Sequence, residues 1–426
     1  DNDRLLKTLK KLRDLGKKHI VIVMNDNVKL KDQNLLRFRK AGIDPAPKDH
    51  HELQIQPIDV NKNAFVVICK KNKNDLERLI NTIGNVKDLI LLDDEADYAT
   101  PNSKINKKQV EIKTKINELI TKITNFDGVW IGVTATPARL DLNNTMLNDN
   151  QQWVPFRVHN NYTGRDFFFP RKIKGKILIE YNLMRLPDSQ VTAKTLRTAL
   201  FTYMVTVADI NLQQIKENRE VRNYSMIVHT SGKMDEHEKD LKDVETVFKS
   251  FRERSQKYEQ YLNEIKEISE RSFSEDYATA ILNYIWSNKE KYLSVVMNSH
   301  KDIRSSNSDA GLEPATTFTI IFGGDIISRG LTFKNLLAMY FARDTKSRIT
   351  IDTYIQRARM FGDRNDIASK FNLTIPEVLY ADWWKAFDNH HKGLISISED
   401  DRPFWFEDSR TRVTAPASID KVNVDT

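Results

Sequence analysis

The 426-residue chain holds a single cysteine, Cys69, so it can close no internal disulfide, which fits a reducing cytoplasm. No apolar run approaches the ~20 residues needed to span a bilayer. The basic start and short apolar core of a secretory signal are also missing. Charge of one sign is scarce in bulk: 66 basic residues stand against 59 acidic ones, leaving +7. That balance leans toward a polyanionic partner without establishing one. With 40% hydrophobic and 29% charged residues the chain is not of the disordered class, and its length allows two or three domains with sizeable cores. It begins with Asp rather than Met, as a fragment of a longer protein would.

What is present centres on Leu89 to Asp97, LILLDDEAD. Four apolar residues in a row predict a strand buried on both faces of a parallel sheet. It runs directly into Asp93, Asp94 and Glu95. Carboxylates at the carboxyl end of a buried strand are costly to desolvate, so something there must need them. A divalent metal and a phosphate are the usual need: Asp94 would hold Mg²⁺ through its water shell, and Glu95 would polarise an attacking water. The alternative is a solvated acidic turn. A second strand, Val129 to Val133, follows an amphipathic segment with Ile112, Ile116, Leu119, Ile120 and Ile123, and ends in Thr134-Ala135-Thr136-Pro137. One right-handed crossover places that hydroxyl turn beside the acids. DEAD followed by TATP resembles motifs II and III of superfamily 2 helicases and translocases, which are nucleic-acid-stimulated ATPases. In those terms Thr134 and Thr136 couple the ATP site to the neighbouring lobe.

A helix over residues 4 to 15 leads into a strand at His19 to Met24. The phosphate loop G-x-x-x-x-G-K-[ST] that normally precedes such a helix is absent. The expectation is that it lies upstream of Asp1; the alternative is a degenerate ATPase. Asn25 to Gln33 falls where superfamily 2 enzymes keep a backbone-binding loop, which makes Asn25, Lys29 and Gln33 phosphate-contact candidates. Residues 40 to 63 read as an irregular insertion. A metal role for His50 and His51 is disfavoured, because adjacent residues point apart and no Cys or acid cluster supports them. Lys70 and Lys71, after a strand at Phe65 to Cys69, are further nucleic-acid candidates, and an amphipathic helix runs on to Ile83. The aromatic segment NYTGRDFFFP could stack bases, but packing is the preferred reading. A helix over 192 to 217 leads out of the first lobe.

The second lobe opens with a strand at Tyr224 to Val228, ending in His229 and Thr230, again placed for nucleic acid. One long charged helix should follow, with Leu241, Val244, Phe248, Phe251, Tyr258, Leu262 and Ile265 on a single stripe. Strands recur near Leu293 to Met297, Thr317 to Phe322 and Leu336 to Phe341. Then comes IIFGGDIISRGLTFKNLLAMYFARDTKSRITIDTYIQRARMFGDR, Ile320 to Arg364, which resembles helicase motifs V and VI. By that resemblance Arg329 and Gly330 form the coupling turn, Gln356 senses the γ-phosphate and Arg359 is an arginine finger. Arg364 supplies either a second charge or a structural salt bridge.

DDEAD, TATP, SMIVHTS, GGDIISRGLTF and QRARMFGDR together resemble the Z-one domain family, found with bacterial restriction-modification and defence genes. The resemblance covers about residues 5 to 390 and departs at Ala358, where relatives usually have Gly. It implies an α/β protein with two RecA-like parallel-sheet lobes. The lobes would be residues 1–145 and 221–370, with a connector over 146–220 and an extension over 371–426. ATP and Mg²⁺ would be the cofactors and duplex DNA the partner, with nuclease and methyltransferase subunits or domains nearby. An RNA helicase, a nuclease in its own right and a nucleotide-independent DNA scaffold are the rival readings.

Overall fold

The protein is described here from a computed structural model covering residues 11, 14–15, 18–26, 28–59, 62–106, 115–124, 128–146, 151–155, 158–171, 177–187, 192–229, 234–297, 313–323, 333–342, 348–364, 366–398 and 403–422. The chain divides into two compact units. One comprises Asp1–Val154, Lys392–Phe406 and Arg412–Thr426; the other comprises Pro155–His391 and Glu407–Thr411.

The first unit is a five-stranded parallel sheet with helices on its faces. Its elements are β1 (His19–Met24), α1 (Val28–Lys40), β2 (Lys48–Asp49), α2 (His50–Ile55), β3 (Phe65–Lys70), α3 (Lys73–Ile83), β4 (Leu89–Asp94), α4 (Lys115–Ile123), β5 (Val129–Val133) and α5 (Ala138–Leu142). The spatial order is β2-β3-β1-β4-β5. Runs such as HIVIVM and FVVICK form the middle of the sheet because both faces are covered there and every position must be apolar. Asn72 starts α3 by accepting from the Asp75 N–H at 2.9 Å, and Leu76, Leu79 and Ile83 turn its apolar stripe inward. Asn25 to Gln33, expected as a loop, is instead helical from Val28. The expected insertion over 40 to 63 holds the edge strand β2 and α2, started by a capping box at Asp49.

β5 behaves unlike the other strands. Val129 and Val133 are 44% and 53% exposed, and among the described residues no strand pairs with its outer edge. An apolar edge without charge or proline is a surface ready to pair. Near the carboxyl end of β5 the tail of the chain docks: Asn143 Nδ2 donates to the Ser418 carbonyl at 2.6 Å, and the Asp420 N–H donates to the Leu142 carbonyl at 2.7 Å.

The second unit carries a six-stranded sheet. Its elements include β6 (Tyr162–Thr163), α6 (Arg165–Phe168), β7 (Asn182–Leu186), α7 (Ala193–Lys216), β8 (Tyr224–His229), α8 (Met234–Glu253), α9 (Tyr258–Glu270) and α10 (Glu275–Ser287). They continue with β9 (Tyr292–Met297), β10 (Phe318–Gly323), β11 (Leu336–Phe341), β12 (Ile349–Thr350), α11 (Ile351–Arg357), β13 (Gly362–Asp363), β14 (Asn372–Pro376) and α12 (Glu377–Ser398). The order β7-β14-β11-β8-β10-β9 is parallel throughout. The helix expected to lead out of the first lobe, α7, is the central helix on one face of this sheet, packed with α8, α9 and α10. The single long helix is two helices, because Arg254 takes φ 49° and turns the chain before Lys257. On the other face Phe168 and Phe169 are fully buried with Phe371, Trp383 and Phe387, so these two rings of the aromatic segment pack rather than stack bases. The fold class is therefore α/β with two parallel-sheet units. Among the described residues no helix is long and apolar enough to cross a membrane.

Candidate functional site

Register brings the carboxyl ends of four strands of the first unit together. Met24 lies beside Lys70, Val23 beside Asp93, and Asp94 beside Val133. The residues that follow these strand ends, Asn25, Lys71, Glu95 and Thr134, therefore share one edge of the sheet, where open α/β sheets place their ligands.

Asp93 is fully buried. Its Oδ1 lies 2.9 Å from Nζ of Lys71, and its Oδ2 accepts from Thr100 Oγ1 at 2.8 Å and Trp130 Nε1 at 3.2 Å. Gly132 makes the tryptophan contact possible: a Cβ there would sit 2.4 Å from the indole ring. Asp94 and Glu95 are different. Among the described residues neither carboxylate is ion-paired with a lysine or arginine, and both stand half-buried. Burial pushes both above the ordinary carboxyl range. Asp93 and Asp97 add to this at Asp94, and Asp94 and Asp97 add to it at Glu95, while Lys71 opposes the shift at both. Such a cluster of hard oxygen donors, short of positive charge, fits Mg²⁺ in chemistry and sign. Asp97 is tied to the next strand end, because Thr134 Oγ1 donates to its Oδ1 at 2.7 Å. Thr134 Oγ1 also accepts from the Thr136 N–H at 2.9 Å, and Thr136 is buried.

The nucleic-acid candidates fall out unevenly. Lys71 was expected to face phosphates, but its side chain is wholly buried and its ammonium is committed to Asp93 and to the carbonyls of Asp94 and Glu95 at 2.7 and 2.6 Å. Lys70 pairs with Asp26 at 3.2 Å and Asp75 at 3.3 Å. Asn25 donates its Nδ2 to Glu95 Oε2 at 3.0 Å. Lys29 and Gln33 lie on α1, with side chains outside the described set. His229 ends β8, its ring 5.2 Å from that of Phe341. Thr230, Arg329 and Gly330 lie outside the described residues.

Gln356 sits near the end of α11, which stops at Arg357. Arg359 therefore lies on the turn beyond the helix, half-buried. Arg364 is buried, and its Nη2 donates to the carbonyls of Phe333 at 3.1 Å and Arg359 at 3.3 Å. Desolvation pushes its pKa down to about 10. Among the described residues Arg364 forms no salt bridge; its guanidinium ties two backbone carbonyls instead.

His50 and His51 do not point apart as expected: their ring centroids are 3.9 Å apart, and with Asp49 they place possible donor atoms within 4.8 Å of one another. That carboxylate is already occupied by the Lys31 ammonium, by the His51 N–H at 2.9 Å and by His50 Nδ1 at 2.8 Å. His50 Nε2 meets Asp75 Oδ1 at 3.4 Å on its other side. Asp49 is thus committed to Lys31 and to the start of α2, with His50 buried beside it and His51 exposed. Only Asp49's place in the capping sequence D-x-x-E marked the cluster beforehand.

The profile of the Z1 domain matches residues 195–397, a little under half of the chain, so the DDEAD and TATP turns lie outside the match. No curated protein matches the chain. Among solved structures, the chain is similar to Dbp5 of S. cerevisiae bound to RNA and ADP BeF3, at TM-score 0.39 and 10% identity, with 88% of this chain and 75% of that chain covered. It is also similar to a fragment of an HsdR subunit of a type I restriction enzyme from Vibrio vulnificus YJ016, at TM-score 0.38 and 13% identity, covering 84% of this chain and 53% of that one. A third is the ATP-dependent Type ISP restriction-modification enzyme LlaBIII bound to DNA, at TM-score 0.39 and 11% identity, covering 86% and 25%.

Proposed function

We propose that the chain is the ATPase part of an ATP-dependent DNA translocase serving a restriction-modification or related defence system. The observation that carries this reading is the pair Asp94 and Glu95: half-buried at the carboxyl end of β4, short of positive charge, and linked through Asp97 to the Thr134 turn. A structural acidic turn would be solvated or paired. In this reading Asp94 holds Mg²⁺ and Glu95 accepts a proton from the attacking water. The bound metal would neutralise charge on the phosphates. Gln356 and Arg359 are assigned as γ-phosphate sensor and arginine finger, and Arg329 and Gly330 as the coupling turn. The Z1 match over the second unit supports the same family of activity.

Nucleic-acid contact would be backbone-directed, so affinity should fall steeply with salt and discriminate little between sequences. Of the original candidates, Lys29, Gln33, His229 and Thr230 carry this role; Lys71 does not. The test is ATP turnover by the natural full-length protein with duplex DNA, single strands and RNA. Stimulation by duplex DNA, lost in Glu95→Gln, is the expected result. Preference for RNA would select an RNA helicase, and no turnover with any nucleic acid would leave a DNA-binding scaffold.

A further inference from the structure

We propose that Lys71 and Asn25, at the ends of β3 and β1, are the positioning residues that fix the backbone turn and the carboxylate of Glu95. This rests on the ATPase reading above and adds two residues outside every motif that led to it. Glu95 has φ +48°, in the left-handed region that non-glycine residues avoid. Such a conformation persists only where its surroundings over-determine it. Here the surroundings are visible. Lys71 Nζ donates to the carbonyls of both Asp94 and Glu95, at 2.7 and 2.6 Å, and meets Asp93 Oδ1 at 2.9 Å. Two of the ammonium's three N–H bonds go to this turn, and its charge lies against Asp93. The Ala96 N–H donates to the Val133 carbonyl at 3.0 Å, and the Tyr98 N–H closes onto Glu95 at 2.8 Å. The backbone is thus held from β3 and β5 at once.

The side chain is held from β1. Asn25 Nδ2 donates to Glu95 Oε2 at 3.0 Å, leaving Oε1 for a water. The charges around that carboxylate are Asp94 and Asp97 on its own turn and Lys71 from β3; Asn25 from β1 is neutral. An asparagine suits the task, because its amide donates without adding a charge that would bind Glu95 as a salt bridge.

The test uses ¹³C relaxation NMR of the natural full-length protein labelled in glutamate, with the Glu95 side-chain resonances identified by their loss in Glu95→Gln. In Asn25→Leu the Glu95 side chain should lose order on the ps–ns timescale, and Asn25→Gln should restore part of it. In the same variant kcat should fall about tenfold with KM for ATP unchanged. Lys71→Met/Asp93→Leu, which removes both buried charges together, should also lower the order of Glu95. A folded Asn25→Leu with the parent order at Glu95 and the parent kcat would overturn the proposal while leaving the ATPase reading intact. A disordered Glu95 in a protein that hydrolyses no ATP would do the reverse: positioning would stand and the ATPase reading would fall.

Discussion

Nζ of Lys71 and Oδ1 of Asp93 meet at 2.9 Å with neither side chain exposed to solvent. Breaking a buried pair by removing one partner strands the other charge, at a cost of about 3–5 kcal/mol. Lys71→Met should therefore destabilise the first unit by that order. Lys71→Met/Asp93→Leu should recover the part due to the stranded charge, but not what the Asp94 and Glu95 carbonyls lose as acceptors or Thr100 and Trp130 as donors. Urea unfolding of the two variants measures both values. Equal stability of the single and double variants would mean that the pair does not act as a unit.

The acids beside it make a prediction about pH. Burial, then Asp94 and Asp97, raise Glu95 above its unfolded value. Between the unfolded and the folded pKa the folded state binds more protons, so stability falls as pH rises through that window. Above the folded pKa the charged Glu95 is a burden. Glu95→Gln removes the burden, and the amide oxygen that replaces the carboxylate can still accept from Asn25. Its Tm should exceed that of the parent at about pH 8, and the gap should close as pH falls toward the ordinary glutamate value of about 4.3. Differential scanning calorimetry across this range reads the gap directly; a gap independent of pH would show that Glu95 carries no such load.

The central strands were legible because a parallel strand covered on two faces must be apolar, as IVIVM, FVVIC and LILL are; Lys48–Asp49, Asn182–Leu186 and Asn372–Pro376 were not, being too short or mixed with polar residues. The acids were legible because they break such a run. The roles of Lys71 and Asn25 were not. A lysine after a strand reads as solvent-facing by default, and only the register that sets β3 against β1, and β1 against β4, shows that this one ends inside the acidic turn. The break between α8 and α9 was hidden for a similar reason. The apolar stripe continues in phase from Phe251 to Tyr258, while the turn at Arg254 has no glycine to announce it.

Thr134 offers a narrower test. Its hydroxyl donates to Asp97 Oδ1 at 2.7 Å and accepts from the Thr136 N–H at 2.9 Å, joining the ends of β4 and β5. Thr134→Val keeps the shape and removes both bonds, costing about 1 kcal/mol in unfolding experiments. Thr134→Ser should restore it. If this bond transmits the state of the acids, Thr134→Val in the full-length protein should hydrolyse ATP within a few-fold of the parent yet displace fewer triplex strands per ATP. A parallel fall in both rates would assign Thr134 to the site itself rather than to coupling.

Arg359 and Arg364 separate chemistry from scaffolding in the second unit. Arg364 is buried and donates to the carbonyls of Phe333 and Arg359 at 3.1 and 3.3 Å. Arg364→Met should therefore cost stability, about 1–3 kcal/mol for each carbonyl left without its donor. Its effect on turnover should come through a loosened Arg359 turn and recede at low temperature, where that turn is better ordered. Arg359 is half-buried, and its carbonyl, not its guanidinium, is what Arg364 holds. Arg359→Ala should lose ATPase activity by about 10³- to 10⁵-fold, the range measured for arginine fingers. Glu95→Gln should be equally inactive while still binding ATP, because Asp94 keeps its place at the metal. The comparison needs single-turnover ATPase rates and ATP affinity for all three variants of the full-length protein. Near-parental hydrolysis by Arg359→Ala would remove the finger from QRARMFGDR, and with it the ATPase role proposed for the second unit.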